Sequence, residues 1–443
     1  MGAGTAQGGA CLLISGKERK NMEFVVFAGV LLLLFIFMIV QELIQTKNQE
    51  KLFKKYLREN YGKEPPKEYS LERFARLGSY LERHKEEKQL DDITWNDLGM
   101  DEVFRRIDRT YSAAGEEYLY YTLRNISCGR EALEHLEEVV NWLQEQENIK
   151  VRIQLLMKRL GHLGKYSLYD YLDNLDYLGE RSNRKIVLGN LLYLPFLLLL
   201  FVQPAMGTIG IVLCMLWHIM TYFLEKKVIE PYIISFAYVL RLIDVCEELE
   251  KQKIPVYRRE LDELREALKS LRELRRGAYW VMAGNQGKIG GNPLDILADY
   301  LRMILHLDIF QFNRMLEKLR KKTGQVETML AITGYLDMAI SVGGFRKSLE
   351  GYCIPKLEED TEKAFLHMKK GWHPLLSQPV KNSIRADRGI LLTGSNASGK
   401  STFLKMVAVN AVLAQTIHTC AAESYHAPIF QIFSSMALRD SME

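Results

Sequence analysis

The chain has 443 residues, which is enough for two to four domains with hydrophobic cores of their own. Its formal net charge of +4 is small for this length and excludes a general polyanion-binding character, so any nucleic-acid surface has to be local. The six cysteines are scattered and form no CxxC motif, which argues against a zinc site or a disulfide framework and is typical of a reducing compartment. They are Cys11, Cys128, Cys214, Cys246, Cys353 and Cys420.

The first long apolar segment covers residues 24–40, without a charged residue, and extends to 44 if Gln41 and Glu42 lie at a membrane interface. About 17 to 21 residues just cross a hydrocarbon core of roughly 30 Å. A cleaved signal peptide is the alternative, but the segment is long for one and no small-residue cleavage site follows it. We therefore predict a transmembrane anchor over residues 22–44, preceded by a leader of residues 1–21.

Two further apolar segments, 186–202 and 207–224, are separated by only four residues. A buried helical hairpin in a large soluble core is one interpretation. Basic residues at both outer ends instead favour a transmembrane hairpin over 186–224 with both ends in the cytoplasm, because cytoplasmic flanks are enriched in Lys and Arg. These basic residues are Arg181, Arg184, Lys185, Lys226 and Lys227. The prediction is a multi-pass protein with about three spans in a lipid bilayer, in a bacterial plasma membrane.

This topology places the N-terminus outside the cell, where Lys17, Arg19 and Lys20 are unfavourable. The conflict disappears if translation starts at Met22, so residues 1–21 are expected to be a misassigned start.

The regions on either side of the hairpin have helical periodicity, and we predict helical cytoplasmic domains over residues 45–185 and 225–345. Leu261, Leu264, Leu268 and Leu271 repeat at a spacing of three and four, which predicts a seam that packs inside this chain. The glycine-rich segment 284–291 lacks Ser or Thr after its lysine and a preceding apolar strand. It is therefore predicted to be an interhelical loop and not a phosphate loop.

Residues 394–401 match the phosphate-loop pattern G-x-x-x-x-G-K-[ST]. The apolar run 389–393 predicts a buried strand before it, and the residues from Ser401 to about Ala414 predict a helix after it. In such a loop, backbone N–H groups and the helix dipole hold a phosphate, a lysine reaches the β- and γ-phosphates, and a serine hydroxyl binds Mg²⁺. We predict that ATP and Mg²⁺ bind here, with Ser401 as the Mg²⁺ ligand. The candidate residues are Gly394, Ser395, Asn396, Ala397, Ser398, Gly399, Lys400, Ser401 and Thr402.

Several segments resemble the ATPase end of the MutS mismatch-repair family. The phosphate loop, written TGSNASGKSTFLK, is similar in form, including Asn396, which lies where a γ-phosphate is expected. Pro379 and Val380 lie in a stretch that resembles the one packing on adenine, which makes them adenine-side candidates. The other similar segments are 103–110 with 114–115, 335–339, the His-Pro element 371–376, 421–423 and 428–433. With the apolar segments, the pattern resembles a membrane-anchored, MutS-related branch.

The resemblance implies a mostly α-helical, membrane-anchored protein with a C-terminal α/β P-loop ATPase domain of the ABC/MutS type on the cytoplasmic side. Residues 346–443 would form the N-terminal part of that domain. It also implies a homodimer through the ATPase domain when full length, and double-stranded DNA as a partner. The Asp-Glu strand and the signature loop that hydrolysis needs are not evident, so enzymatic activity stays open and the chain is expected to be truncated after this region.

Departures from the family put mismatch reading in doubt. The only Phe-x-Glu candidate, Phe223-Leu224-Glu225, lies at the end of a predicted span. The leading hypothesis is a membrane-tethered, MutS-like ATPase that interacts with DNA. The alternatives are a nucleotide-driven motor for membrane transport or remodelling, and an ATP-binding fragment that does not hydrolyse. The few polar residues of the hairpin argue against a transport pathway. Single tyrosines apart, they are Asn190, Gln203, Thr208, His218 and Thr221.

Overall fold

The computed structural model describes residues 37–38, 40–41, 44–64, 69, 71–86, 88–126, 129–163, 167–275, 293–359, 364–395 and 399–435. The chain divides into two compact units, Met1–Asn60 and Tyr61–Glu443. In the first unit, residues 44–60 are helical. Most of the predicted first anchor and the whole of segment 284–291 lie outside the described residues.

The second unit is predominantly helical. Its α-helices are α1 (Leu71–Arg83), α2 (Asp92–Leu98), α3 (Met100–Ile107), α4 (Ala113–Arg124), α5 (Arg130–Glu145), α6 (Glu147–Leu160), α7 (Leu168–Asp173), α8 (Arg184–Leu191), α9 (Tyr193–Val202), α10 (Pro204–Glu250), α11 (Arg258–Leu271), α12 (Pro293–Leu305), α13 (Leu307–Leu319), α14 (Thr323–Ser348) and α15 (Lys400–Ile417). Short 3-10 helices span Leu175–Leu178, Pro255–Tyr257 and Arg272–Arg275.

Helix α14 is the central element of the helical core, and α4 crosses it closely. At the crossing, a Cβ added to Gly334 would lie 2.6 Å from the carbonyl oxygen of Ala114, so only glycine permits this approach. One turn further along α14, the buried carboxylate of Asp337 accepts the backbone N–H groups of Tyr111 and Ser112. Two of the segments that resemble the MutS family, around residues 103–115 and 335–339, are therefore packed against each other.

The predicted leucine seam on α11 is confirmed. Its four leucines, Leu261, Leu264, Leu268 and Leu271, are all buried, and α11 packs against α10 and α14 of the same chain. The 3-4 spacing places the four side chains on one face of the helix, which explains why a single stripe is covered.

The apolar hairpin consists of α8 and α9 in its first arm and the start of α10 in its second. Helix α10 does not end at residue 224, where the predicted span ends, but continues to Glu250. Lys226 and Lys227 change the polarity of the surface without interrupting the backbone, because lysine is a good helix former and a helix ends at caps or breakers. The predicted boundary at residue 224 thus lies within one continuous helix and marks only a change in the polarity of its surface.

Three helical segments of the described chain are long and apolar enough to cross a membrane, judged by length and composition. They are Arg184–Val202, Pro204–Glu230 and Thr323–Ser348. The most apolar stretches of the first two are only 6% and 22% buried, whereas that of the third is 83% buried. Helix α14 is therefore apolar because it lies inside the protein core, while the hairpin leaves its apolar side chains uncovered.

Several polar side chains of the hairpin make hydrogen bonds to backbone carbonyl oxygens. The hydroxyls of Thr208 and Thr221 donate to carbonyl oxygens one turn earlier in α10, and the His218 ring lies 3.0 Å from the carbonyl oxygen one turn before it. Asn190 donates to the carbonyl of Leu305 at the end of α12. These contacts therefore lie within the hairpin, except for the Asn190 hydrogen bond, which joins the hairpin to α12.

The strands of the described residues form one mixed sheet of order β1-β4-β2-β3. They are β1 (Lys356–Glu358), β2 (Leu366–Gly371), β3 (Asn382–Ala386) and β4 (Ser424–Pro428). β1 runs parallel to β4, whereas β2 is antiparallel to both β3 and β4. Strand β4 follows α15 and thereby connects the phosphate-loop helix to the sheet.

The predicted buried strand over residues 389–393 is wrong for this structure. The segment has no strand hydrogen bonding, and Leu391 is 89% exposed. A strand needs a neighbour along its edge, and the sheet of the described residues ends at β3 on one side and β1 on the other. Apolar composition alone therefore does not make this segment a strand, because a strand also needs a partner.

We predict that Gly334→Ala lowers the free energy of unfolding by about 1–3 kcal/mol, because its Cβ would force α4 and α14 apart. Gly324→Ala is the matched control on the same helix, since nothing lies within 4 Å of its added Cβ. The control should change stability by less than about 1 kcal/mol. Denaturant unfolding of the two variants measures both values, and equal effects would contradict the close crossing.

Candidate phosphate-binding site

The phosphate loop leads directly into α15. Gly399 occupies the N-cap position with φ of 80°, a left-handed conformation that glycine adopts without a steric penalty. The next residue, Lys400, folds back so that its ammonium donates to the carbonyl oxygens of Gly394 and Ser395 at 2.5 and 2.6 Å. The predicted residues Asn396, Ala397 and Ser398 lie outside the described part of the chain. The loop therefore presents a lysine over its own backbone at the positive end of a helix.

A cavity of about 620 Å³ opens beside this loop, a volume in the range of small-molecule sites. It is lined by His373, Leu376, Gln378, Val380, Asn382, Leu392, Thr393, Gly394, Gly399, Lys400, Thr402, Phe403 and Met406. Among the residues predicted from sequence, the structure brings Val380 together with Lys400 and Thr402. Ser395, Ser401 and Pro379 do not line the cavity, although Ser401 is exposed at the start of α15.

His373 shapes the wall of the cavity. Its Nδ1 accepts the backbone N–H of Leu375 at 3.3 Å, in the turn that follows the histidine. Burial lowers the pKa of the His373 imidazole, and the charge of Lys405 lowers it further. Next to it, the Lys381 ammonium lies 4.7 Å from the centre of the Trp372 ring.

Two buried amides fix the position of α15, and neither was predicted from the sequence. Asn410 donates to the carbonyl of Trp372 at 3.0 Å and accepts the N–H of Ala421 at 2.7 Å. Gln415 exchanges a pair of hydrogen bonds, 3.0 and 2.7 Å long, with the backbone of Phe430. Amides inside an otherwise apolar helical run were the available signal, because buried amides require partners.

The C-terminal end of α15 is held by Arg346 of α14. Its side chain is fully buried; it donates to the hydroxyl of Thr419 at 2.9 Å and to the carbonyl of His418 at 3.0 Å. The same guanidinium donates two hydrogen bonds, 3.1 and 2.7 Å long, to the Glu137 carboxylate on α5. A positive charge at a helix C-terminus is favourable, so Arg346 stabilises α15 and joins it to two core helices.

Glu137 is the anionic partner in this contact. Its burial alone would raise the pKa of the carboxyl, but the neighbouring His418 and Arg346 side chains outweigh burial and lower the pKa from 4.5 to about 2. A group whose pKa is lowered by folding stabilises the folded state above its unfolded value and loses that contribution as the pH falls toward its folded value.

We therefore predict that Glu137→Gln destabilises the chain by about 3 kcal/mol near neutral pH, because it leaves the Arg346 charge unpaired. The difference in unfolding free energy between the variant and the wild type should become steadily smaller as the pH is lowered from about 4.5 toward 2. Denaturant unfolding across this pH range measures it. Glu138→Gln, at an exposed neighbouring position, is the control. A stability difference between Glu137→Gln and wild type that stays constant with pH would contradict the stabilising role of the Glu137 carboxylate.

Comparison with known proteins returns MutS proteins, while no protein-family model matches the chain. The DNA mismatch repair protein MutS of Acholeplasma laidlawii is 31% identical over 137 residues, which are 30% of this chain and 16% of that protein. MutS protein homolog 4 of Homo sapiens is 28% identical over 152 residues, 32% of this chain and 16% of the relative. The MutS of Leptospira interrogans is 29% identical over 152 residues, 32% of this chain and 18% of the relative.

The chain thus spans about a sixth of the length of these curated relatives. The similarity is repeated across bacterial and animal proteins that carry one family name, at close to 30% identity. Over about a third of its length, the chain is therefore similar to MutS proteins.

Proposed function

We propose that this chain binds ATP with Mg²⁺ and forms part of a MutS-like ATPase that is tethered to a membrane and acts on DNA. The observation that carries the proposal is the phosphate loop itself. A left-handed Gly399 starts α15, and Lys400 stands over the loop beside a cavity of nucleotide size. Glycine, lysine and the helix start are the three elements that a bound triphosphate requires.

In the proposed complex, Lys400 exchanges its bonds to the loop carbonyls for phosphate oxygens. The charge of the lysine is then neutralised by the ligand instead of by carbonyl dipoles, which makes the exchange favourable. Ser401, exposed at the first turn of α15, is the hydroxyl ligand for Mg²⁺. Val380 and Leu376 supply the apolar side of the cavity, where a base would lie.

We predict that Lys400→Ala weakens Mg-ATP binding by about 1.5–3 kcal/mol, roughly ten- to a hundredfold in Kd, because a charged donor to phosphate is lost. A fluorescent ATP analogue titrated into the purified chain measures this affinity. Lys369→Ala is the control, since that lysine is exposed on β2 and its ion pair with Glu423 lies at the surface. Unchanged affinity in the Lys400 variant would remove the basis for nucleotide binding at this loop.

The membrane part of the proposal rests on the hairpin. Its apolar side chains face outward, with Leu198 68% and Phe201 89% exposed. A contiguous apolar surface of this kind is unfavourable in water and favourable in hydrocarbon. The basic residues at both ends of the hairpin are consistent with a cytoplasmic position of α15 and its loop.

We expect the full chain to stay with the membrane pellet after alkaline carbonate extraction and to require detergent for release. Peripheral proteins bound by charge leave the pellet under these conditions, because the extraction disrupts electrostatic contacts. Release into the supernatant would exclude the hairpin as a span and favour a buried or partner-covered surface.

The DNA part follows from the similarity to proteins named for DNA mismatch repair. We propose duplex DNA as the ligand of the complete assembly, formed with a second copy through the ATPase region. Binding of a labelled duplex, followed by fluorescence anisotropy at several salt concentrations, tests it. DNA contacts should weaken steeply as salt rises, because bound counterions are released from the phosphates.

A further inference from the structure

Two cysteines that are far apart in the sequence lie opposite each other beside the sheet. The N–H of Cys353 donates to the carbonyl of Cys420 at 2.9 Å, and the N–H of Cys420 donates back at 3.0 Å. They form an isolated antiparallel bridge. The Cα atoms of such a hydrogen-bonded pair are about 5.5 Å apart, which is also the most common separation in disulfides.

The two thiols have different surroundings. Cys353 is half-buried, whereas Cys420 is buried and its Sγ donates to the carbonyl of Asn410 at 3.5 Å. Interaction with the neighbouring Cys420 thiol lowers the pKa of the Cys353 thiol below its ordinary value despite partial burial. Burial raises the pKa of Cys420 well above the ordinary value. The accessible cysteine of the pair is thus the one that forms a thiolate more readily.

We propose that Cys353 and Cys420 form a reversible intrachain disulfide when the chain meets a low-molecular-weight disulfide such as oxidised glutathione. The Cys353 thiolate attacks one sulfur of the oxidant, forming a mixed disulfide and releasing one thiolate. The Cys420 sulfur then attacks the Cys353 sulfur and displaces the second oxidant thiol, which takes up the Cys420 proton. The two protein thiols are oxidised and one small disulfide is reduced to two thiols, so atoms and electrons balance.

This cross-link joins the two helices that matter for the phosphate site. Cys353 lies between the end of α14 and β1, and Cys420 lies between the end of α15 and β4. Arg346 already connects the same two helix ends through hydrogen bonds. A disulfide would add a covalent bond between the segments that directly follow these two helices.

No cysteine has a near neighbour in sequence, which argues against a disulfide framework. The structure supports a different kind of bond. In a reducing compartment disulfides are transient and redox-sensing, and this pair combines one accessible thiol with a buried second thiol facing it. The inference concerns thiol chemistry alone and does not depend on ATP binding.

The test equilibrates the purified full chain with mixtures of reduced and oxidised glutathione, traps remaining thiols by alkylation, and maps the digested peptides by mass spectrometry. We expect a linked peptide pair that contains Cys353 and Cys420 and lacks two hydrogens, and that disappears on reduction. The oxidised chain should also unfold several degrees higher than the reduced chain, because the cross-link restricts the unfolded state.

Cys353→Ser and Cys420→Ser should each abolish the linked pair and the shift in unfolding temperature. Cys214→Ser, which changes a half-buried cysteine in α10, should retain both. The proposal is overturned if both thiols stay open to alkylation in oxidising mixtures, or if Cys353 accumulates as a glutathione adduct that Cys420 does not displace. Because no nucleotide is present, a failure here is separate from a failure of ATP binding.

Discussion

The arrangement of the candidate phosphate site depends on the hydrogen bonds and ion pair of the buried Arg346 guanidinium. A buried charge is tolerated only when it is paired and fully hydrogen-bonded, and Arg346 meets this condition through Glu137, Thr419 and the carbonyls at the end of α15. Its partners come from α5 and from the segment after α15. Separating the helical core from the phosphate-loop helix would therefore leave the buried Arg346 charge without its partners.

The phosphate-loop helix is consequently fixed along most of its length and open at one end. Asn410 and Gln415 bind it to the segments around residues 372, 421 and 430, and Arg346 holds its C-terminus. Its first turn, with Lys400 and Thr402, faces the cavity. The contacts further along α15 therefore hold this first turn in position beside the cavity.

The hairpin and α14 are both apolar, but the first is largely exposed and the second is largely buried. Both contain long apolar helices, yet α14 is surrounded by α4, α5 and α11 while α9 and the start of α10 mainly pack on each other. Close contacts at Gly334 and buried hydrogen bonds at Asp337 are the marks of a core helix. Neither mark is visible in a hydropathy pattern, which records the side chains but not what covers them.

Features that depend on neighbouring residues were predictable from the sequence alone. The start of α15 after Gly399, the buried face of α11 and the apolar hairpin all follow from backbone preferences and periodicity over a few turns. The tertiary structure alone decided the contacts between distant residues: the Arg346–Glu137 pair, the amides that clamp α15, and the two opposed cysteines. It also left residues 389–393 without a strand. The physical reason is that periodicity specifies which face of an element is apolar, whereas the partner of that face is chosen by packing across the whole chain.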